Sequence, residues 1–192
     1  MQKVKSEDLR VRKTRHAIHQ AFQDMICEMD YDQMTIKELA SRAHINRKTF
    51  YLHYNGLDDL LTELQEEIAL QFIKQNVSYD NMYDICSLIR IFFENAARLP
   101  LLHERLLCSG SYQPVWEKIN QRIMNYRRET NRGAFDLNEY EENLVFAYFG
   151  ANSTLLYRQW VADGKKLPLE DLIAMAIRLI GYGMSSVVKG KK

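Results

Sequence analysis

The chain has 192 residues, 46% hydrophobic and 27% charged, with a formal net charge of +1 at pH 7. That is ordinary globular composition on a chain long enough to bury a core unaided, and it excludes a polycationic nucleic-acid binder. Three separated cysteines without a CxxC pair exclude a disulfide scaffold and a zinc ribbon, and no uncharged stretch reaches membrane-spanning length.

The N-terminus is charged through Arg15 with no apolar run after it, so no secretory signal is expected and a reduced, cytoplasmic setting is. Cys27 and Cys86 read as small buried hydrophobes. Charge is uneven along the chain. Residues 1–56 carry ten Lys and Arg against seven Asp and Glu, whereas the rest carries sixteen against eighteen. The N-terminal part is therefore the end suited to an anionic partner.

Only three prolines and eight glycines interrupt the chain, which predicts long helices rather than short strands. Ile18, Ala21, Phe22 and Met25 repeat at the spacing of one buried helical face, placing a first helix at about 9–29. Thr35-Ile36-Lys37-Glu38 reads as a capping box. It opens a second helix that buries Ile36, Leu39, Ala40 and Ala43. A turn at His44-Ile45 follows, and Asn46 is a suitable N-cap for a short third helix ending near Tyr54. Asn55-Gly56 stops it. Leu57, Leu60, Leu61 and Leu64 begin a long fourth helix, to about residue 75, that bridges two parts of the protein.

Five further helices are predicted at about 82–98, 101–108, 113–130, 138–163 and 168–188. Pro100, Pro114 and Pro168 lie near their starts and Gly110, Gly133 and Gly164 at their ends. The last two carry more apolar surface than one buried face requires. This predicts a four-helix homodimer interface through roughly 138–163 and 168–188; central helices of a monomer are the other reading. The fold class is thus all-α, with about nine helices. An N-terminal three-helix domain spans 1–56, and a C-terminal helical bundle spans 57–192.

Two short helices joined by a tight turn and packed on a longer one make a helix-turn-helix. Its second helix must bury one face and offer the other to the major groove. Ile45, Phe50 and Tyr54 can point inward; Arg47, Lys48, Tyr51 and His53 can point outward. Arg47 can offer a bidentate fork to guanine, worth about 1–3 kcal/mol of discrimination. The hydroxyls of Thr35, Thr49 and Tyr51 suit phosphate oxygens. A short helix with two basic residues is in itself more often a mere solvated face.

The segment Thr35-Ile36-Lys37-Glu38-Leu39-Ala40, then Ala43-His44-Ile45-Asn46-Arg47-Lys48-Thr49-Phe50-Tyr51-Leu52-His53-Tyr54, closely resembles the signature of TetR-family regulators. The helix before it and Asp58-Asp59-Leu60-Leu61 after it fit as well, so the resemblance covers about residues 10–65. A weaker one lies in Tyr157-Arg158-Gln159-Trp160, Gly164 and Leu167-Pro168-Leu169-Glu170. The resemblance implies that Thr35, Asn46, Arg47, Lys48, Thr49, Tyr51 and His53 bind a double-stranded operator, with Thr35, Thr49, Tyr51 and His53 on phosphates. It also implies a dimerising C-terminal domain that holds an inducer. The expected protein is a homodimeric repressor with recognition helices about 34–36 Å apart on a pseudo-palindromic operator, released by a small-molecule effector. The alternative is a regulator or co-activator controlled by a protein partner.

Two residues depart from the family pattern. His44 stands where glycine is usual, so the turn should be left-handed at a cost of about 1 kcal/mol. Leu57 stands where a phosphate-binding lysine is usual, so one anchor is missing.

No P-loop, HExxH, GxSxG or GxGxxG motif occurs, so neither catalysis nor a cofactor is expected. His16 and His19, three apart, could share a metal, but exposed polar histidines are the simpler reading and no metal site is predicted. The second half is rich in aromatics, among them Tyr83 and Trp116. Arg90, Trp116, Asn120, Tyr148 and Asn152 are the candidate lining of an effector pocket between helices; packing is the plainer role for the aromatics.

Overall fold

The computed structural model describes residues 6–75, 85–130 and 137–188, all helices, turns and connections. The expectations for Tyr83, Gly133 and the tail Lys189-Gly190-Lys191-Lys192 fall outside these residues. The described helices pack into two compact units. The first comprises residues up to Glu67 and Leu101–Trp116; the second comprises Ile68–Pro100 and Glu117 onward. By packing, the first unit thus runs past residue 56 and takes in a segment from the middle of the chain.

In the first unit, α1 (Ser6–Glu28) buries Ile18, Ala21, Phe22, Met25 and Ile26, the predicted face extended by one residue. A short 3-10 turn (Tyr31–Gln33) leads to α2 (Ile36–Arg42) and α3 (Arg47–Tyr51), and α4 (Leu57–Gln75) begins after Asn55-Gly56. Leu60, Leu61 and Leu64 of α4 are buried. α6 (Leu101–Cys108) and the 3-10 turn Gly110–Tyr112 complete this unit.

These last two elements close the C-terminus of α1. A helix leaves its last carbonyls without partners, and α1 ends in Met29-Asp30 with no glycine to turn the chain back. Arg105 Nε donates to the Ile26 carbonyl at 3.0 Å and Tyr112 Oη to the Met29 carbonyl at 2.7 Å. The same guanidinium pairs with Asp30 at 3.0 Å, a cation where the helix dipole favours one. Tyr112 is wholly buried. That burial, together with the carboxylates of Asp30 and Asp32 nearby, raises its phenol pKa, although Arg105 opposes the shift.

In the second unit, α5 (Ile85–Ala96) turns Ile85, Ile89, Phe93 and Ala96 inward. α7 (Gln113–Thr130) and α8 (Glu139–Ala162) follow, then α9 (Leu169–Ala176), a π turn (Ile177–Gly181) and α10 (Tyr182–Val187). The last three run as one interrupted rod, so the described residues give the nine helical rods expected. Asn138 opens α8 with a full capping box: its side chain accepts from the Tyr140 and Glu141 amides, and Glu141 accepts from the Asn138 amide at 2.8 Å. Tyr157 Oη satisfies the Ala96 carbonyl at the end of α5, at 2.8 Å, and Phe92 meets Phe149 edge-on at 6.0 Å. Gly181 lies where a Cβ would come within 3.2 Å of the buried Ile89 Cδ1, so a side chain there would make Ile89 give way by a few tenths of an ångström where the π turn passes over α5.

Cys27, Cys86 and Cys108 are partly buried and form no disulfide. None of the described helices is long and apolar enough to cross a membrane.

Candidate nucleic-acid interface

The reading element begins with two caps. Thr35 Oγ1 accepts from the Glu38 amide at 3.1 Å and opens α2. The other half of the expected capping box is replaced. The Glu38 carboxylate reaches forward one turn to Arg42 Nε at 2.8 Å, and Arg42 also binds Glu28 of α1 at 2.6 Å. A guanidinium that bridges two carboxylates outcompetes one backbone amide for Glu38. Asn46 opens α3: its Oδ1 accepts from the Thr49 amide at 2.8 Å and from the Thr49 hydroxyl at 3.1 Å.

Between the helices the backbone turns through His44 at φ 53°, the left-handed conformation expected from the sequence. The Ile45 amide bonds to the Ala40 carbonyl at 3.0 Å and the His44 amide to the Ser41 carbonyl at 3.1 Å. This is the Schellman pairing, with His44 in the place glycine usually takes. The same pairing ends α8, where Gly164 (φ 72°) fills that place and Lys165 follows with its ammonium 5.6 Å from the Trp160 ring centre.

α3 is only five residues long, and its orientation comes from its inner side. Phe50 is fully buried, and Tyr54, just past the helix, is nearly so. Their rings lie 5.7 Å apart. Tyr54 Oη donates to Glu63 Oε2 of α4 at 2.8 Å and contacts His19 Nε2 of α1 at 2.8 Å; Arg15 pairs with the other oxygen of Glu63. Burial and the Glu63 carboxylate push the Tyr54 phenol up to about 12 against the opposing pull of Arg15. Glu63 is shifted the other way: desolvation would raise its pKa, but the hydrogen bond from Tyr54 and the charges of His19 and Arg15 outweigh it and hold it low.

The outer side is what the helix has left to offer. Arg47, Lys48 and Tyr51 are exposed and His53 is half-buried. Among the described residues, neither Arg47 nor Lys48 pairs with a carboxylate, whereas Arg15, Arg42, Arg90 and Arg105 all do. Leu52 joins this face at 81% exposure, an apolar side chain that the spacing did not single out. Thr35 spends only an acceptor lone pair on its cap and keeps its hydroxyl proton. Thr49 differs from the expectation: its hydroxyl proton is engaged by Asn46, and its side chain is half-buried. Asn46 uses Oδ1 for the cap, which leaves its amide N–H2 group as donor.

The residues proposed from sequence for an effector pocket are placed as follows. Arg90 is exposed and binds Glu170 at 2.9 Å and Glu94 at 3.5 Å. Trp116 is buried at the edge of the first unit, while the other four belong to the second. Asn120 is half-buried. Asn152 donates to the Tyr148 carbonyl one turn back on α8 at 2.8 Å, and Tyr148 is itself on the exposed side of that helix.

A capped pair of short helices braced on a longer one, with two uncommitted cations facing outward, defines a helix-turn-helix DNA-binding protein. Residues 18–64 match the family model "Bacterial regulatory proteins, tetR family". Residues 18–64 thus carry the DNA-binding domain of the tetR family. The chain is 36% identical over 73 residues to the uncharacterised HTH-type transcriptional regulator YxbF of Bacillus subtilis (strain 168), a stretch covering 38% of this chain and 19% of that one. It is 20% identical over 173 residues to DhaS of Lactococcus lactis subsp. lactis (strain IL1403), the HTH-type dhaKLM operon transcriptional activator, with 87% and 88% covered. The crystal structure of a TetR transcriptional regulator from Streptococcus agalactiae 2603V superposes with a TM-score of 0.70 at 21% identity, covering 91% of this chain and 97% of that one. These whole-chain likenesses establish a shared fold.

Proposed function

We propose that this protein is a homodimeric repressor that reads a pseudo-palindromic operator with α3 and is released by a small-molecule effector. The unpaired, exposed cations Arg47 and Lys48 at the start of α3 carry the DNA reading. Two adjacent exposed cations without a carboxylate partner among the described residues, on the outer side of a helix-turn-helix, suit a polyanion. Arg47 forks onto guanine; Lys48 lies beside it on base or backbone. Thr35, the Asn46 amide, Tyr51 and His53 hold phosphates, and Thr49 acts through the cap. Leu52 meets a thymine methyl or sugar edge.

Dimerisation is supported by one face of the second unit. Tyr140, Leu144, Tyr148 and Leu155 lie exposed along α8, and Met175, Leu179 and Tyr182 along α9, the π turn and α10. A Cβ at Gly183 would lie 3.8 Å from the Tyr148 hydroxyl, so the two stripes adjoin. A stripe of this size favours burial against a second copy. α4, continuous from the motif past the boundary at Glu67, is the element through which an effector would act. The effector itself follows from likeness to the family. DhaS is named an activator and aligns over most of both chains, so the second reading is an activator on the same operator, controlled by a partner protein.

The test is selection of bound fragments from genomic DNA, followed by affinity measurements on the selected site. Arg47→Ala is expected to cost about 1–3 kcal/mol on that site and to relax the preference at one base pair per half-site. An Arg47→Ala protein that selects the same fragments with the same affinity overturns the assignment.

A further inference from the structure

Beside Tyr54, α1 and α4 border an open groove of about 660 Å³ in the first unit, lined by the donors His16, His19, Glu63 and Glu67 and by the cations Arg12, Lys13 and Arg15. His16 and His19 are three apart on α1, and Glu63 and Glu67 four apart on α4, so each pair shares a helical face. One ligand atom from each of His19, Glu63 and Glu67 lies within 4.8 Å of the others. We propose that these three residues, with His16 alongside, bind a divalent first-row transition-metal ion of the Zn²⁺ type.

The tautomer of His19 carries the inference. Tyr54 has one hydroxyl proton, and it goes to Glu63 Oε2. The 2.8 Å contact between Tyr54 Oη and His19 Nε2 must then be made by an N–H on Nε2. In the neutral ring this leaves Nδ1 as a lone pair, 3.8 Å from Glu67 Oε2. In the protonated ring Nδ1 instead pairs with Glu67 across that distance, so a divalent cation at this position would take the place of the ring's second proton. Donors around four-coordinate zinc, each about 2.0–2.2 Å from the metal, stand roughly 3.3–3.6 Å apart, so the gap needs to close by only a few tenths of an ångström.

The surroundings fit as well. A metal-bound imidazole commonly donates its other N–H to an oxygen that fixes the ring, the part Tyr54 plays here. Glu63 binds Arg15 through Oε1, and its Oε2 lies 3.4 Å from the His19 ring. An ion that draws on Oε2 competes with the Tyr54 hydroxyl for it. The donor set, imidazole with carboxylates and no thiolate, selects zinc, nickel or cobalt over calcium or magnesium, which avoid imidazole. The site concerns α1 and α4 alone and stands or falls without DNA.

The experiment is calorimetric titration of Zn²⁺ into the metal-free full chain, repeated with Co²⁺ followed by absorption. The expected result is one ion per chain, no thiolate charge-transfer band, and affinity at least tenfold lower in His19→Gln and in Glu67→Gln. Glu67 is half-exposed, so Glu67→Gln keeps its melting temperature and serves even if His19→Gln folds poorly. The triple variant C27S/C86S/C108S is expected to bind as the parent does. Absence of stoichiometric binding, unchanged affinity in Glu67→Gln, or loss of binding in the cysteine variant overturns the proposal.

Discussion

Position 44 is where alanine and glycine should exchange their usual order of stability. His44 is exposed and occupies the left-handed region at φ 53°. The flanking bonds from Ile45 to Ala40 and from His44 to Ser41 fix that conformation, because shifting φ breaks both. An L-residue there costs about 1–2 kcal/mol, toward the lower end for histidine. Glycine removes this cost but adds about 0.4–1 kcal/mol of unfolded-state entropy. His44→Gly should therefore be neutral to about 0.5 kcal/mol more stable than the parent. His44→Ala keeps the strain and gains nothing, so glycine should exceed alanine by roughly 0.5–1 kcal/mol. At exposed Thr62, in the interior of α4, the order should reverse, with glycine about 1 kcal/mol below alanine. Thermal melting by circular dichroism resolves this, because 1 kcal/mol corresponds to about 2–4 °C for a chain of this size. A His44→Ala protein as stable as His44→Gly would refute the strain argument.

Leu144→Glu with Leu155→Glu places charges in the exposed stripe of α8. Light scattering should find monomers, and operator affinity should fall at least tenfold, about 1.4 kcal/mol; a dimeric double variant would move the interface elsewhere. Tyr54→Phe keeps the ring beside Phe50 and loses the hydrogen bonds to Glu63 and His19. It should cost about 1 kcal/mol, a melting decrease of about 2–4 °C, and an unchanged melting temperature would show that the hydroxyl braces nothing. Burial lowers the pKa of His103 from its ordinary value near 6.5. The folded chain then binds fewer protons here than the unfolded one, so stability is full above about pH 7 and falls as pH drops through 6.5 toward the lower folded value. Acidification from pH 7.5 to 5.5 should therefore lower the melting temperature less in His103→Gln than in the parent, and equal losses would exclude His103 as a source.

What the sequence made legible was periodic or local. The buried face of α1, the Asn46 cap, the left-handed His44 and the bounds of α6 and α7 all follow from patterns a few residues wide. What it hid was competition and distance. Glu38 matches a capping box, but Arg42 one turn on and Glu28 on another helix decide where its carboxylate goes. The Thr49 hydroxyl suits a phosphate, yet its own N-cap claims the proton. α6 reads as part of the second domain by chain order. Arg105 and Tyr112 nevertheless return about 80 residues to close α1, and no local spacing encodes that. Leu52 was passed over because its exposure depends on Phe50 and Tyr54 taking all the inward positions. The exposed stripe on α8 was legible only as an excess of apolar residues; which of them face outward became clear with Val145, Phe146 and Phe149 committed to the core.

The shortness of α3 explains how labour is divided along it. A five-residue helix cannot sustain itself, because nucleation costs more than so few hydrogen bonds return. Everything that holds it must come from its ends and inner side. Asn46 supplies the start, Phe50 the anchor, and Tyr54 the brace to His19 and Glu63 on the two long helices. With these three fixed, Arg47, Lys48 and Leu52 are left exposed, while the Tyr51 ring meets Phe50 edge-on at 5.5 Å. The brace has a second consequence. Because Tyr54 ties α3 to both α1 and α4, anything that shifts α4 relative to α1 must either break those hydrogen bonds or carry α3 with it. A displacement of α4 against α1 is therefore transmitted to α3 through the Tyr54 hydrogen bonds and the packing of the buried Phe50.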